Sequence, residues 1–511
     1  MGFTNRFKKM FKSEEKEKAE EQKVIISTDP IKNKVNNFKY LENLIRSQGR
    51  DVLLDSDIIL EDGEELQYAD GIELDIDRLV LDASDYVIDG RGKSRIFSIP
   101  SDVEVKLVNV SIKNGYHPDG GGAIKNAGNL TLDDCNFKKC ASNEGKGGAI
   151  YNEEELVAGN CVFENNSARY GGAIYDEDAG TTVAACGFVM NKAERGGAIS
   201  NKGYLSISES SDFWSNSADY GGAVYIDMGS YNDLRGGASF DSFFEENASK
   251  CGGGAIYNNN VFSIEATSFK NNKSPAGGAI YNDNDEELFI SGSTFNDNSS
   301  QNGGAIYNSE KSTINMENSS FENNSAEIAG GGAVSNNGFL TVQESKFNAN
   351  SAEKGGAIYN DSQGDLKLDF VNFNQNTSKS NGGAVYNNEN AKLAMKESKF
   401  LNCSAECGGA IFNNGFSDIE DSAFEDNASG LNGGAIYNAV DGQADVEDGE
   451  FLRNSAECGG AIYSSGELTD LDSTFECNSS KSHGGAIYSS GDLTADDSTF
   501  DDNEPDDVYE E

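Results

Sequence analysis

Residues 163–176 read FENNSARYGGAIYD. A glycine pair in front of a strand-like Ala-Ile-Tyr has two readings: a loop that cradles a phosphate, or a corner where the backbone turns sharply. Recurrence decides between them. Gly-Gly-Ala returns with its alanine at 123, 149, 173, 198, 223, 255, 279, 305, 333, 357, 384, 410, 435, 461 and 486. The steps run from 24 to 28 residues, apart from one of 32 between Ala223 and Ala255 that also holds a stray copy ending at Ala238. One phosphate site would not need fifteen copies, so the pair is a repeated corner.

A second landmark alternates with the first, an aromatic followed three residues later by asparagine. Phe213/Asn216, Phe295/Asn298, Phe321/Asn324, Phe347/Asn350 and Phe451/Asn454 show it, and Cys140 and Cys403 replace the asparagine after Phe137 and Phe400. Between the landmarks lies a short alternating segment such as Leu340-Thr341-Val342, with the period of a strand that buries one face. No unit carries a helical period. A unit of about 25 residues holding three short strands and tight polar turns predicts one coil of a parallel β-helix. The fold class is therefore all-β, a single-stranded parallel solenoid, and crossover chirality favours right-handed winding. Fifteen coils at the strand spacing give a rod roughly 70 Å long. Phe163 then reads as a core ladder residue and Asn166 as a turn residue.

Five segments follow. Residues 1–36 form a basic amphipathic and charged extension, 37–51 a capping helix, 52–118 irregular opening coils, 119–503 the repeats and 504–511 an acidic tail. In the cap, Phe38, Leu41, Leu44 and Ile45 lie at helical spacing and would cover the first coil's open strand edges. No equivalent cap is visible at the other end.

The net charge is −46, from 86 acidic against 40 basic residues. No basic surface is evident for nucleic acid. Acidity of this degree keeps a long rod soluble. No cofactor motif is found. Weak Ca²⁺ binding by carboxylate clusters such as Asp283-Asn284-Asp285-Glu286-Glu287 is the one metal reading, although no loop repeats a calcium-ligand spacing.

Nine cysteines occur without metal spacing. Cys135, Cys161 and Cys186 share a slot held elsewhere by Ser242, Thr267, Ser293, Ser319 and Ser345, which marks a small-residue packing position. No stretch approaches 18 apolar residues, and the N-terminus lacks the apolar core of a secretory signal. On these grounds alone the expected compartment is cytoplasmic or membrane-surface. Phe3, Phe7, Met10 and Phe11 share a helical face ringed by Arg6, Lys8, Lys9 and Lys12, a candidate for peripheral membrane contact.

With IDGRGKSRIFSI at 88–99, VKLVNVSIKNG at 105–115 and the GGAIYN/FxxN units, the chain resembles the pectin-lyase-like right-handed β-helix proteins. Within that group it is similar to chlamydial polymorphic outer-membrane proteins and to adhesin-like proteins of methanogenic archaea. The resemblance spans roughly residues 50–503 and implies surface adhesion, and hence a cell-surface location. The same fold hosts polysaccharide lyases and hydrolases, so catalysis is the alternative. Against it, His117 and His483 would sit near opposite ends of the rod, on the order of 65 Å apart. Uniform repeat length also leaves few loops to wall a cleft.

Two surfaces are candidates for binding a glycan or a protein. The long step carries Tyr231, Asp233 and Arg235 on an insertion. The GGAIYN tyrosines, among them Tyr257, Tyr281 and Tyr307, form an exposed stripe if the neighbouring isoleucines point inward, and core if the face is reversed.

Overall fold

The computed structural model describes residues 35–227 and 242–511. They form an all-β parallel solenoid of about 17 turns with a single helix. Each regular coil runs through four short strands, taken here from one winding. Ile150–Asn152 is followed by Glu155–Gly159, Val162–Glu164 and Ser167–Tyr170. Strands pair in parallel with their copies in neighbouring coils, so Ile150 meets Ile174, Phe163 meets Phe188 and Ser167 meets Lys192. The sequence predicts three strands per coil. The fourth, at the Ser-Ala segment, is two to six residues long and carries no alternating apolar pattern to announce it.

The interior is built by stacking like on like. Phenylalanines from Phe137 to Phe500 lie nearly parallel, with ring centres 4.5–5.1 Å apart. Such pairs add about 0.5–1.5 kcal/mol each beyond burial. In the first strand Ile280 and Asn282 face inward while Tyr281 faces the other way. The following strand alternates likewise, with Leu340 and Val342 fully within the core.

The asparagine of Phe-x-x-Asn is not a surface turn residue. Asn166, Asn298 and Asn324 are at most 1% exposed and form a continuous buried ladder. In each rung the side-chain oxygen accepts from the backbone and side-chain N–H groups of the asparagine before it, as Asn324 does from Asn298 at 3.0 Å in both bonds. The amide nitrogen donates to the carbonyl oxygen of the phenylalanine one coil earlier, as Asn324 does to Phe295 at 2.8 Å. The residue just before each ladder asparagine turns through the left-handed region, as Asn165 (φ 53°) and Asp297 (φ 56°) do.

The glycine pair has two separate reasons. Gly171 has φ 60°, a conformation that favours glycine, whereas a Cβ on Gly172 would overlap the carbonyl oxygen of Gly197 in the next coil. The first glycine turns the chain and the second lets coils approach.

At the N-terminal end the helix Phe38–Gln48 buries Phe38, Leu41 and Ile45 against the first coil, with Asn37 accepting from Tyr40 N at its start. At the other end the acidic tail extends the stack. Val508–Glu510 pairs with Ile487–Ser489, and Tyr509 stacks on Tyr488 at 5.2 Å. The segment's acidity hid this strand, because only Val508 and Tyr509 carry the repeat pattern.

Candidate functional site

The tyrosine edge is set by strand alternation: with Ile and Asn committed to the interior, the residue between them must face outward. Tyr257, Tyr281 and Tyr307 come together in one stack, with ring centres 4.9 Å apart at each step. The stack resumes as Tyr359, Tyr386, Phe412, Tyr437, Tyr463 and Tyr488.

This edge is outward-facing but not bare. Tyr257, Tyr281 and Tyr307 are half-buried, whereas Tyr175 and Tyr386 are only 3% and 6% exposed. Part of the cover comes from the residue just before each glycine pair, which leans over the tyrosine of the next coil. The Lys146 ammonium lies 4.8 Å from the Tyr175 ring centre, and Lys354 lies 4.8 Å from that of Tyr386. Tyr220 meets Tyr257 edge-on at 5.6 Å.

The phenol hydroxyls are engaged by the residue after the next coil's inward polar residue. Tyr257 donates to Asp283 at 2.7 Å, Tyr151 to Glu177 at 3.2 Å, and Tyr307 accepts from Asn337 at 2.9 Å. Burial raises the pKa of Tyr257 and Tyr281 above the ordinary phenol value, and for Tyr257 the Asp283 bond adds to it. These rings are neutral surfaces at physiological pH, suited to stacking rather than to proton transfer.

Tyr231, Asp233 and Arg235 lie outside the described residues, as does the basic N-terminal segment. His117 accepts the Asp119 N–H at Nδ1 and so donates from Nε2 to the Asp70 carboxylate (3.0 Å), while His483 stacks on Tyr509 near the other end. Among the described residues no group of three or more His, Cys, Asp or Glu is placed to hold a metal ion, and no helix is long and apolar enough to cross a membrane.

Three buried carboxylates escaped the sequence reading. Asp176 stands in the Ile-Tyr-Asn ladder and binds Thr181 and Asn152, while Asp470 faces the core beside Ser498. Burial raises both carboxyls above the usual range. Asp212 precedes a core phenylalanine, and burial, with the charge of Glu245 in the next coil, pushes it up to about 6. Asp176 and Asp470 sit at positions that the repeat gives to neutral residues elsewhere, a signal that alignment of the coils could have found. The column of Asp212 also holds Lys346, Lys399 and Glu450 and carries no such signal.

Six segments match the Chlamydia polymorphic membrane protein repeat: 160–177, 241–259, 266–283, 292–309, 370–388 and 421–439. Each spans a Phe-x-x-Asn and the Gly-Gly-Ala that follows it, the two features that build the ladder and the corner. The chain is a β-helix repeat protein similar to the chlamydial polymorphic membrane proteins. Comparison with curated proteins finds no match. Among solved structures, one titled "L. reuters 100-23 SRRP" is 11% identical, with a TM-score of 0.15, over 94% of this chain and 99% of that one. A score that low adds nothing to the fold described above.

Proposed function

We propose that the protein is a non-enzymatic, elongated scaffold of adhesin type, which presents its tyrosine edge to a glycan or protein at a cell surface. The observation that carries this reading is the set of six matches to a repeat named for a membrane protein, within a stack that holds one residue column in line across many coils. A periodic edge of neutral stacked rings offers extended contact area at low conformational cost. The membrane-protein repeat also supports a surface location.

The test is retention of purified protein on cells and on immobilised glycans, with Tyr281→Ala/Tyr307→Ala as the variant. The reading expects retention to fall while the stack stays folded. Loss of stability with retention unchanged would sink it. Release of products from pectins or other acidic glycans would instead favour a lyase or hydrolase.

A further inference from the structure

Two phenols stacked face to face at the strand spacing are a pair that oxidation can join. The Tyr257 and Tyr281 rings lie 4.9 Å apart at 6°, and those of Tyr281 and Tyr307 lie 4.9 Å apart at 21°. Their strands pair residue for residue, so the backbone holds like side chain over like. Closing the remaining distance takes a swing of the phenols about their two side-chain torsions. All three residues are half-buried, so an electron can leave a ring without any group entering the fold.

Tyr257 also has a proton acceptor in place. Its hydroxyl donates to one oxygen of Asp283 at 2.7 Å, and the Ser309 hydroxyl donates to the other at 2.8 Å and so fixes the carboxylate. A neutral phenol gives up an electron most readily when its proton leaves at the same time, and Asp283 stands within hydrogen-bond reach to take it.

The same column holds neighbours that cannot couple. Ser200 separates Tyr175 from Tyr225, and Ser335 separates Tyr307 from Tyr359. Each of these gaps is two strand spacings, about 9.6 Å. Phe412 lies in the stack between Tyr386 and Tyr437 and brings no hydroxyl. Tyr151 and Tyr175 meet edge-on, at 5.8 Å and 60°.

We propose that the stacked pair Tyr257 and Tyr281, with Asp283, is a site of oxidative cross-linking, at which a one-electron oxidant of the haem-peroxidase class joins adjacent coils through a dityrosine bond. Each phenol loses one electron and one proton, and Tyr257 passes its proton to Asp283. The two tyrosyl radicals pair to form one C–C bond between carbons ortho to the hydroxyls. The hydrogen on each of those carbons then moves to its own ring's oxygen, which restores both rings. The two electrons and two protons reduce one hydrogen peroxide to two waters. The bond ties neighbouring coils covalently and fixes the register of the edge. It depends on the stack alone, whatever the edge binds.

The experiment treats the dilute full chain with a haem peroxidase and hydrogen peroxide, and maps tryptic peptides by mass spectrometry. Cleavage after Lys250, Lys270, Lys273 and Lys311 places Tyr257 and Tyr281 in separate peptides. The expected product is a monomer in which peptides 251–270 and 274–311 are joined with loss of two hydrogens, while 274–311 stays unjoined to 355–367, which carries Tyr359. Tyr281→Phe keeps the ring and is expected to abolish the link. Asp283→Asn keeps an acceptor, loses the base and is expected to slow this link relative to the one between Tyr437 and Tyr463 in the same molecule. The comparison of Tyr257/Tyr281 with Tyr307/Tyr359 uses the parent chain alone, so it decides even if a variant misfolds. Links formed only between chains, a Tyr307–Tyr359 link as abundant as the Tyr257–Tyr281 link, or an undiminished link in Tyr281→Phe would overturn the proposal. An unchanged rate in Asp283→Asn would overturn the part given to Asp283.

Discussion

Asn298 joins three groups at once: its oxygen accepts from the backbone and side-chain nitrogens of Asn272, each at 3.0 Å, and its amide donates to the Phe269 carbonyl at 3.0 Å. An alanine there would orphan them all in a site closed to water. At about 1–3 kcal/mol for each orphaned group, Asn298→Ala is expected to lower the unfolding midpoint sharply, by more than any surface substitution. The chain contains the reverse case. Cys403 holds the same position, with a thiol that cannot donate to Phe373 as asparagine would. Cys403→Asn is expected to raise stability by about 1–2 kcal/mol, measured by denaturant unfolding. Burial pushes the Cys140 and Cys403 thiols up to about 12, so thiolate is nearly absent at neutral pH. In native protein, alkylation followed by mass spectrometry should label the exposed Cys251 and Cys477 and spare these two until the chain unfolds.

At the scale of strands and corners, neither glycine of a pair has room for a side chain. Gly278→Ala would drive a Cβ into the carbonyl oxygen of Gly304, whereas the nearest atom to a Cβ on Gly430 is 3.8 Å away. Circular dichroism melting should find the first strongly destabilised and the second close to parent. Asp212 gives a pH signature. Its carboxyl is raised from 3.8 to about 6, so the folded chain holds this proton more tightly than the unfolded chain does. Its contribution is fully present below about pH 4 and is lost as pH rises through 6. Asp212→Asn is expected to flatten that part of the stability profile and to add about 2–3 kcal/mol at pH 7. Much of this level was legible in the sequence, because Phe, the glycine pair and Ile recur in fixed order and identical neighbours must stack. The Ser-Ala strand was not, since two to six small or polar residues carry no period. The direction of the asparagine was hidden for another reason: asparagine is common in turns, and only the close stacking of coils gives each buried amide its partners. The tyrosine facing followed from alternation once isoleucine was placed inward, but the cover over the rings comes from corner residues such as Lys354, which strand alternation does not place. The serine breaks at 200 and 335 were visible letter by letter, and they acquire meaning only when the rings above and below are in register.

For the whole molecule, register is the property on which everything else depends. The seven-stranded sheet ends at Tyr204–Ser208 and a ten-stranded one begins at Phe262–Glu265. The phenylalanine and tyrosine stacks nevertheless run on between those coils, Phe213 to Phe244 at 4.6 Å and Tyr225 to Tyr257 at 5.2 Å. An aligned edge and a ladder of buried amides both require that one rise follow another without a slip. The exposed cysteines allow this to be measured directly. Cys251 follows Phe244 and Cys477 follows Phe475, nine steps later in the phenylalanine stack. With Cys407 and Cys458 changed to serine, spin labels on Cys251 and Cys477 should give one narrow distance by pulsed electron resonance, near the roughly 43 Å of nine strand spacings plus the label offset. A distance below about 30 Å, or a broad spread, would contradict the continuous stack and with it the aligned edge.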